Sequence, residues 1–412
     1  MKQELILITN RYPFYPGEEF LKLELDFLCE KFRKVHIIPV NSLDHSKQRE
    51  LPANAEVHLV PGFQGKRAAS YKLSWIHDRQ GLKWFLSESG KAKAFGAKGF
   101  GKLASWTANA VKLRSYIENN IMSAENDADF VVYSYWLSLA PGIALLKEKY
   151  PSIHAYSRGH GGDIYEDRHK PPYLPFKQKL IGKLDNLFLI SDNGRQYLSG
   201  QASGNHDHLE TWRLGTLKPD GESPSSKDGT FRIVSCSYIV PVKRLELLIN
   251  SLQHCEEKIH WTHIGDGPAR AEIEQLAAAL PDHVSCEFKG SLGNSEVMDF
   301  YTSNAVDMFV NVSSSEGIPV AIMEAFSCRI PALATDVGGT RELVNDRNGH
   351  LIPKDFDVKE LAGIFDSFAR SPHEDREKRR EAAYQTWNEL YNAKKNYSAF
   401  AEKLAGNGGT GS

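Results

Sequence analysis

Short apolar segments alternate with longer amphipathic segments along most of the chain. Many of the short segments are apolar throughout and rich in β-branched residues, a pattern typical of strands that are buried on both faces. They form two series, and the predicted strands are Glu4–Thr9, Lys34–Val40, Phe130–Tyr135, Ile153–Ser157 and Asn186–Ser191, then Phe231–Ser235, Ile259–Ile264, Val284–Lys289, Val306–Val312 and Ile330–Thr335. The helices predicted between them include Gly17–Phe32, Leu245–Cys255 and Ala269–Leu280. This alternation predicts parallel sheets with helices on both faces.

The segment 217–230 separates the two series of predicted strands. Its sequence, LKPDGESPSSKDGT, is rich in Gly, Pro, Ser and Asp, which is typical of a linker. We therefore predict an α/β protein with two Rossmann-like, doubly wound domains. Because ligands bind at the carboxyl ends of the strands in such sheets, we expect a site in a cleft between two facing domains.

Length, charge and cysteine usage exclude several classes of protein. The 412 residues suit two domains, and the hydrophobic fraction of 41% is that of a globular protein. Lys plus Arg number 50 and Asp plus Glu number 52, so we do not expect polyanion binding over the whole surface. No apolar run predicts a transmembrane helix, and the N-terminus does not resemble a signal peptide. The five scattered cysteines include no CxxC pair, which argues against disulfides or a zinc site and favours a reducing cytoplasm.

One segment of the first half, 66–114, combines basic and aromatic residues. The segment contains eleven basic residues but only two acidic ones, Asp78 and Glu88. The basic residues are Lys66, Arg67, Lys72, Arg79, Lys83, Lys91, Lys93, Lys98, Lys102, Lys112 and Arg114, and the interleaved aromatics are Trp75, Trp84, Phe85, Phe95, Phe100 and Trp106. This composition suits an anionic membrane surface or an anionic acceptor, and less well a nucleic acid. A helical insertion whose aromatics pack on the domain is the alternative.

The strongest chemical signal is NVSSSEGIPVAIMEA at 311–325. A strand ends in small polar residues, and Gly317 and Pro319 then precede an apolar helix that carries one carboxylate, Glu324. A carboxylate in an apolar helix needs a partner, which the hydroxyls of a sugar or a ribose would provide. The free amides of the first helical turn suit a phosphate. The alternative is structural, with Glu316 capping backbone amides and Glu324 paired with a buried arginine.

The spacing of Glu316 and Glu324 in SEGIPVAIMEA resembles the signature of retaining glycosyltransferase family 4, whose members have the GT-B fold. Other parts of the second half resemble the same domain, namely IGDGPAR at 264–270, VGGTRELV at 337–344 followed by Asn348 and Gly349, and 234–248 with Pro241, Lys243 and Leu245. In the first half, the resemblance is to transferases that build bacterial polysaccharides. It lies in NRYPFYPGEEF at 10–20, RGHGGD at 158–163, ISDNGRQYL at 190–198 and RLGT at 213–216.

The resemblance implies a domain plan. The expected parts are an acceptor-binding domain at 1–216 with a basic helical insertion at about 64–118, a linker at 217–230, a nucleotide-sugar-binding domain at 231–385, a C-terminal helix at 386–404 that returns to the first domain, and a flexible tail at 405–412.

The resemblance also assigns roles to individual residues. Glu316 would contact the transferred sugar, Lys243 would neutralise the diphosphate, and His160 would lie near the reacting carbon of the sugar. Other donor-binding positions would be Gly17, Asp163, Arg244, Gly317, Ile318, Pro319, Val320, Glu324, Ser291 and Leu292. We expect no metal and no cofactor, because the chain has no convincing Asp-x-Asp motif and His160 with Asp163 lacks a third ligand nearby.

The chain departs from the family pattern at the end of its first C-terminal strand. Ser237-Tyr238 stands where the family often has Gly-Arg, so an arginine contact to the diphosphate is missing. Arg244, where the family usually has Gly, is our candidate for the second positive charge.

The expected activity is that of a metal-independent, retaining hexosyltransferase. It would move a sugar from a UDP or GDP sugar to a glycan or lipid-linked acceptor in exopolysaccharide, capsule or lipopolysaccharide synthesis. We expect it in the cytoplasm, with peripheral contact at the inner membrane face. The alternatives are a nucleotide-sugar epimerase and a non-catalytic, nucleotide-sugar-binding subunit of a polysaccharide assembly. A Rossmann oxidoreductase is a further rival, but it would need GxGxxG after the first strand, and RYPFYPGEE at that place lacks this motif.

Overall fold

The computed structural model describes residues 3–41, 44–61, 63, 74–122, 129–201 and 206–406. The chain forms two compact units, Met1–Trp212 with Tyr397–Ser412 and Arg213–Asn396. Each unit contains one parallel sheet, as the alternating pattern predicts. No helix in the described ranges is long and apolar enough to cross a membrane.

The sheet of the first unit has seven parallel strands in the order β3-β2-β1-β4-β5-β6-β7. They are β1 Glu4–Thr9, β2 Lys34–Pro39, β3 Ala55–Val57, β4 Phe130–Ser134, β5 His154–Gly159, β6 Asn186–Leu189 and β7 Leu209–Thr211. The helices of this unit are α1 Phe20–Lys31, α2 Arg79–Lys93, α3 Gly96–Asn120, α4 Pro141–Lys149, α5 Gly161–Ile164, α6 Lys177–Lys183 and α7 Asp192–Ser199.

The sheet of the second unit has six parallel strands in the order β10-β9-β8-β11-β12-β13. They are β8 Phe231–Cys236, β9 Ile259–Ile264, β10 Val284–Gly290, β11 Met308–Asn311, β12 Ala332–Thr335 and β13 Gly349–Ile352. The helices that follow Trp212 are α8 Leu245–Leu252, α9 Arg270–Ala277, α10 Asn294–Ser303, α11 Val320–Ser327, α12 Val358–Ala369, α13 His373–Leu390 and α14 Ala393–Leu404. Both sheets have the doubly wound order, with a switch point between β1 and β4 and between β8 and β11.

Three strands were absent from the sequence prediction, and all three are edge strands. β3 and β7 have three residues each and β13 has four, and they close the ends of the two sheets. An edge strand is paired on one side only and needs no continuous apolar run. The apolar pattern therefore revealed the central strands and the edge strand β10, but not these three short edge strands.

The unit boundaries differ from the predicted ones. The expected linker at 217–230 packs on the second unit, where Ser223 donates to the Asn304 carbonyl at 2.9 Å and accepts at its own carbonyl from Arg380. Thr216 forms a β-bridge with Asn392, so α13 and the start of α14 also belong to this unit. The return to the first unit falls at Tyr397, within α14, and not at residue 386.

The described part of the basic insertion consists of α2 and α3. Lys66, Arg67 and Lys72 lie outside the described residues. Trp75 and Trp84 are buried, so these aromatics pack on the unit as the alternative interpretation held. The lysines Lys83, Lys91, Lys93 and Lys98 are exposed, and Arg114 is buried with its guanidinium bonded to Asp78 at 2.6 Å.

Candidate active site

The candidate catalytic residues of the second unit lie at the switch point of its sheet, between the carboxyl ends of β8 and β11. Lys243 closes a short 3₁₀ turn, Pro241–Lys243, after β8, and Glu316 follows β11. The lysine Nζ lies 2.7 Å from Glu316 Oε1, and the side-chain Nδ2 of Asn311 donates to the same oxygen at 3.2 Å. The structure thus brings together the two residues to which the sequence assigned the diphosphate and the sugar.

Arg244 has a different environment from the one expected of a diphosphate ligand. Its guanidinium donates to the carbonyls of Val312 at 2.7 Å, Lys354 at 2.8 Å and Ser313 at 3.3 Å. It therefore ties the turn after β8 to the loop after β11. Its φ is +52°, in the left-handed region that favours glycine, which explains why a glycine is usual at this position. A role for Arg244 as the second positive charge stays a prediction.

Tyr238, at the position of the family's arginine, is 62% exposed. Close to it, the turn of IGDGPAR packs against the strand end. A Cβ on Gly265 would lie 1.9 Å from the Ser237 carbonyl oxygen, and one on Gly267 would lie 2.3 Å from that of Ile239. These two glycines therefore let the β9 turn approach the backbone beside Tyr238.

Residues 317–320 lead into α11 with unpaired backbone donors. The amides of Gly317, Ile318 and Val320 donate no hydrogen bond within the described ranges. Pro319 is the N-cap of α11 and not its first residue, as the helix begins at Val320. Unpaired amides at the start of a helix attract phosphate or sugar oxygens, since each needs an acceptor and the helix dipole adds positive potential.

A second glycine-rich loop, which contains Gly338 and Gly339, packs against the backbone of Glu316 and Gly317. Gly339 N donates to the Gly317 carbonyl at 2.7 Å, and Gly338 has the left-handed φ of +56°. A Cβ on Gly338 would lie 2.1 Å from the Glu316 carbonyl oxygen, so only glycine fits there. This VGG motif is part of the resemblance to the family, but its sequence alone did not indicate what the glycines do.

Glu324 lies on α11, as the sequence predicted, but its partner is not an arginine. Asn294, the first residue of α10, donates to Glu324 Oε1 at 2.5 Å. Burial raises the pKa of Glu324 to about 7, and the Asn294 hydrogen bond opposes the shift only in part. Because α10 follows the loop that contains exposed Ser291 and half-buried Leu292, this contact brings that loop towards Glu324.

The first unit has its own cluster at the switch point of its sheet. The loop after β1 is held by Glu18, whose carboxylate accepts from the amides of Asn10 at 2.9 Å, Arg11 at 2.5 Å and Tyr12 at 2.6 Å. Trp136, after β4, also donates its indole N–H to this carboxylate, at 2.6 Å. Gly17 next to it has a φ of +100° with open space around its Cα, so the turn here requires glycine.

His160 follows β5 and is 6% exposed. Its ring packs against those of Tyr135 and Trp136, with centroid distances of 4.8 and 4.4 Å. Neither ring nitrogen has a hydrogen-bond partner in the described part of the chain. Burial and the neighbouring Arg158 cation hold the pKa of His160 well below its usual range, so the ring is neutral. A buried, unpaired imidazole is costly, which suggests that a ligand satisfies it.

Asp163 acts on the backbone that carries His160. Its carboxylate accepts from the His160 amide at 2.7 Å and from the Ser138 amide at 3.3 Å. Burial raises the pKa of Asp163 to about 7, and these backbone donors oppose the shift. Asp163 thus fixes the turn after β5, and a direct contact with the donor stays a prediction.

A buried ion pair lies beneath His160. Arg158 and Glu24 are fully buried and bonded to each other, and the guanidinium carbon lies 4.1 Å from the ring centroid of Phe400 on α14. The last helix therefore supports the strand end that carries the histidine. The sequence showed RGHGGD but did not indicate that its arginine pairs with a glutamate 134 residues away.

A cavity of about 250 Å³ opens in the first unit between α3 and the carboxyl ends of β2 and β4. Its polar and aromatic lining includes Asn41, Ser105, Trp106, Asn109 and Ser138. Ser138 joins this cavity to the turn of His160, because its amide donates to Asp163. An aromatic face among amide and hydroxyl groups suits a sugar ring. No sequence motif indicated this cavity, because its lining comes from segments far apart in the chain.

Residues 220–386 match the model of a protein family described as glycosyl transferases group 1. The chain is also 33% identical over 396 residues to TuaC of Bacillus subtilis strain 168, named as a teichuronic acid biosynthesis glycosyltransferase. That alignment covers 90% of each chain. Both findings agree with the motifs of the second half, and the similarity to TuaC extends across the first half as well.

Solved structures show the same fold at low sequence identity. The lipopolysaccharide outer core galactosyltransferase WaaB superposes with a TM-score of 0.68 over 98% of both chains, at 13% identity. HepE of Anabaena, in complex with UDP and glucose, gives 0.64 over 98% of this chain and 100% of its own, at 16% identity. The predicted two-domain α/β fold of the GT-B type is confirmed.

Proposed function

Since the chain belongs to the glycosyl transferases group 1 family, we propose that it moves a sugar from a nucleoside-diphosphate sugar to a glycan or lipid-linked acceptor in bacterial polysaccharide synthesis. The names of its relatives support the pathway class, since they refer to teichuronic acid, O-antigen and colanic acid biosynthesis. These relatives are named for the synthesis of different polysaccharides, so we propose only the class of the acceptor.

The observation that carries the proposal is the Lys243–Glu316 pair beside the backbone N–H groups of Gly317, Ile318 and Val320. A diphosphate needs positive charge and N–H donors, and the bound sugar needs an acceptor for its hydroxyls. Lys243, in the turn after β8, and Glu316 with these amides, in the loop after β11, offer these groups at the carboxyl ends of two neighbouring strands. Negative charge develops on the departing diphosphate, so a fixed cation there stabilises the transition state more than the bound donor.

We propose that transfer retains the configuration of the anomeric carbon and needs no metal. Retention rests on the family signature alone. Neutral His160 suits contact with a sugar hydroxyl, because one ring nitrogen can donate and the other accept. It is not suited to act as an imidazolium acid near neutral pH, since its pKa is low.

Glu324 is the proposed ligand of the ribose hydroxyls, and the loop at Ser291 and Leu292 the proposed contact with the base. We favour a UDP or GDP sugar, and HepE of Anabaena, whose structure contains UDP and glucose, supports the uridine nucleotide. The polar cavity of the first unit, with Trp106 and Asn109, is the proposed place of an acceptor sugar.

The exposed lysines of α2 and α3 support peripheral contact with an anionic membrane at its cytoplasmic face. They include Lys83, Lys91, Lys93 and Lys98, and Leu86 on the same helix pair is 61% exposed. Basic residues near an exposed apolar side chain combine electrostatic attraction with shallow insertion. We propose that this surface brings a lipid-linked acceptor to the enzyme.

The test is a thermal-shift panel of UDP, GDP, ADP and TDP, each with its common sugars. A ligand that binds only the folded protein raises Tm by mass action. We expect one nucleotide to give a clear shift, which Glu324→Ala abolishes and Glu272→Ala, on exposed α9, leaves unchanged. No shift with any nucleotide, or an equal shift in the Glu324 variant, contradicts the proposed donor site.

A second measurement separates a transferase from a binding subunit. Release of the nucleoside diphosphate is followed with the matching donor and lipid-linked acceptors. Binding without turnover, with every acceptor class, would favour the non-catalytic alternative, and exposed Tyr238 would then be the first residue to replace with arginine.

A further inference from the structure

We propose that His36, His58 and Glu56 form a structural zinc site at the β3 edge of the first sheet. In the described part of the chain, these three side chains are the group whose ligand atoms all lie within 4.8 Å of one another. His36 and Glu56 are register partners on β2 and β3, and His58 follows β3. The cluster owes its existence to strand pairing, because its members come from two neighbouring strands.

One ring nitrogen of His36 lies within hydrogen-bond distance of one ring nitrogen of His58. His36 Nδ1 lies 2.9 Å from His58 Nε2, and the other nitrogen of His36, Nε2, lies 3.0 Å from Glu4 Oε2. Glu4 is a carboxylate bonded to Arg33, so His36 Nε2 carries the proton that it donates to Glu4. His36 Nδ1 therefore has a free lone pair directed at His58.

This arrangement matches the carboxylate–histidine–zinc triad of metal sites. In such triads, a carboxylate accepts the N–H of the histidine and fixes the tautomer, and the opposite nitrogen binds the metal. Glu4 occupies the position of that carboxylate. On zinc binding, neutral His58 would carry its proton on Nδ1 instead of Nε2, and the two facing nitrogens would both become ligands.

The distances fit a tetrahedral zinc after small movements. Two nitrogens bound to tetrahedral zinc at about 2.0–2.1 Å lie about 3.3 Å apart, against 2.9 Å for this pair. His58 Nε2 and Glu56 Oε2 are 4.0 Å apart and would approach by less than about 1 Å. The Glu56 side chain is 52% exposed and can rotate, whereas His36 is buried and fixed. Water would complete the coordination, as it does in other sites with two histidines and one glutamate.

The location points to a structural ion. His36 lies in the first half of β2, away from the carboxyl ends of the strands where ligands bind in such sheets. An ion there would join the three-residue edge strand β3 to β2, and through Glu4 to β1. Short edge strands gain the most from such a link, because they are paired on one side only. A structural ion at this position would take no part in sugar transfer, so it does not conflict with the expectation of a metal-independent reaction.

Lys34 provides a specific control. Its Nζ lies 2.5 Å from Glu56 Oε2, so it competes with the metal for that carboxylate. The Lys34→Met variant removes the competitor and leaves all three ligands in place. If Glu56 is a ligand, this variant should bind zinc more tightly than the unaltered protein.

The experiment uses tag-free, full-length protein after chelator treatment, titrated with Co²⁺ and then with Zn²⁺. We expect the visible absorption of tetrahedral Co²⁺ at one equivalent, its loss when Zn²⁺ is added, and a rise in Tm with Zn²⁺. His58→Ala and Glu56→Gln should lower the affinity at least about tenfold, and Lys34→Met should raise it. His350→Ala and His373→Ala, which change other histidines, should have no effect.

Several results would overturn the proposal. They are the absence of a tetrahedral cobalt spectrum in the unaltered protein, a spectrum that persists in His58→Ala, and equal zinc affinity in Glu56→Gln and the unaltered protein. His58 and Glu56 are not fully buried, so their variants should fold, and far-UV circular dichroism checks this.

Discussion

Lys243 and Glu316 form an ion pair, with Nζ 2.7 Å from Oε1, across 73 residues of sequence. The side chains proposed for the diphosphate and the sugar therefore neutralise each other at the switch point of the second sheet. A donor that engages both must redirect the lysine towards phosphate, while Asn311 continues to hold the glutamate.

The Lys243→Met variant tests this pair in catalysis. We expect kcat to fall about 10²–10³-fold, the usual effect of removing one fixed group that stabilises developing charge. Because the two residues act as a unit, Lys243→Met with Glu316→Gln should be little worse than either alone. Steady-state kinetics of the four proteins measure this, with Lys359→Met, an exposed lysine of the same unit, as control. Additive losses would show that the two residues act independently.

Donor affinity should depend on pH through Glu324. Its pKa of about 7 lies above the ordinary value of 4.5, and only the ionised form accepts hydrogen bonds at both oxygens. Binding of ribose hydroxyls favours ionisation, so affinity should rise with pH through about 7 and level off above it. Calorimetric titration from about pH 5.5 to about pH 8.5 measures the profile. Glu324→Gln should lack this rise, and subtracting its profile removes the titration of the diphosphate itself.

The same shift has the opposite sign for stability. A carboxyl whose pKa is raised on folding stabilises the folded state below its unfolded pKa, and this contribution is lost as pH rises through the folded value. Without donor, the unaltered protein should thus lose stability relative to Glu324→Gln between about pH 4.5 and about pH 7. Urea unfolding of both proteins across this range provides the check.

His160→Phe should separate activity from stability. The imidazole is buried against two aromatic rings without a hydrogen-bond partner among the described residues, and phenylalanine fits that environment better. The free energy of unfolding should stay the same or rise by about 1–3 kcal/mol, while kcat falls about 10²-fold or more. A variant that is both less stable and fully active would contradict a ligand-binding role for His160.

Replacing Arg244 distinguishes a structural role from a role in binding phosphate. Arg244→Ala and Arg244→Gly both remove the three hydrogen bonds to carbonyls, and we expect a loss of stability of about 1–3 kcal/mol. The glycine variant should be about 1 kcal/mol the more stable of the two, because φ is +52°. If donor affinity and kcat are unchanged in both, Arg244 does not supply the second positive charge.

Neutralising the basic helices tests the membrane surface. Replacement of Lys91, Lys93, Lys98 and Lys102 by serine should weaken binding to anionic phosphatidylserine vesicles in a sedimentation assay, at about 1 kcal/mol for each lysine near the surface. Four exposed lysines elsewhere, Lys227, Lys258, Lys359 and Lys394, give a control of equal charge. Equal vesicle binding by both variants would show that α2 and α3 do not form the contact.

The pattern of apolar residues predicted the central strands of both sheets. β1 and β9 were predicted with their observed ends, because most of their residues are apolar or β-branched, as is typical of strands buried on both faces. The sequence did not reveal the Glu18 carboxylate that closes the first loop, since its partner Trp136 lies 118 residues away. Nor did it show that 217–230 packs against the second unit, because a polar composition does not distinguish a linker from a surface segment.

The sequence alone determined the class of fold and the loops that carry the chemistry, because hydrophobic periodicity and local motifs are properties of neighbouring residues. The tertiary structure decided which side chains meet. It paired Lys243 with Glu316 and engaged Arg244 with backbone carbonyls. It also buried the imidazole of His160 against two aromatic rings with no hydrogen-bond partner in the described ranges, and brought His36 and His58 together through the register of β2 and β3. These relationships depend on contacts between segments far apart in sequence, which chain folding creates and no local pattern records.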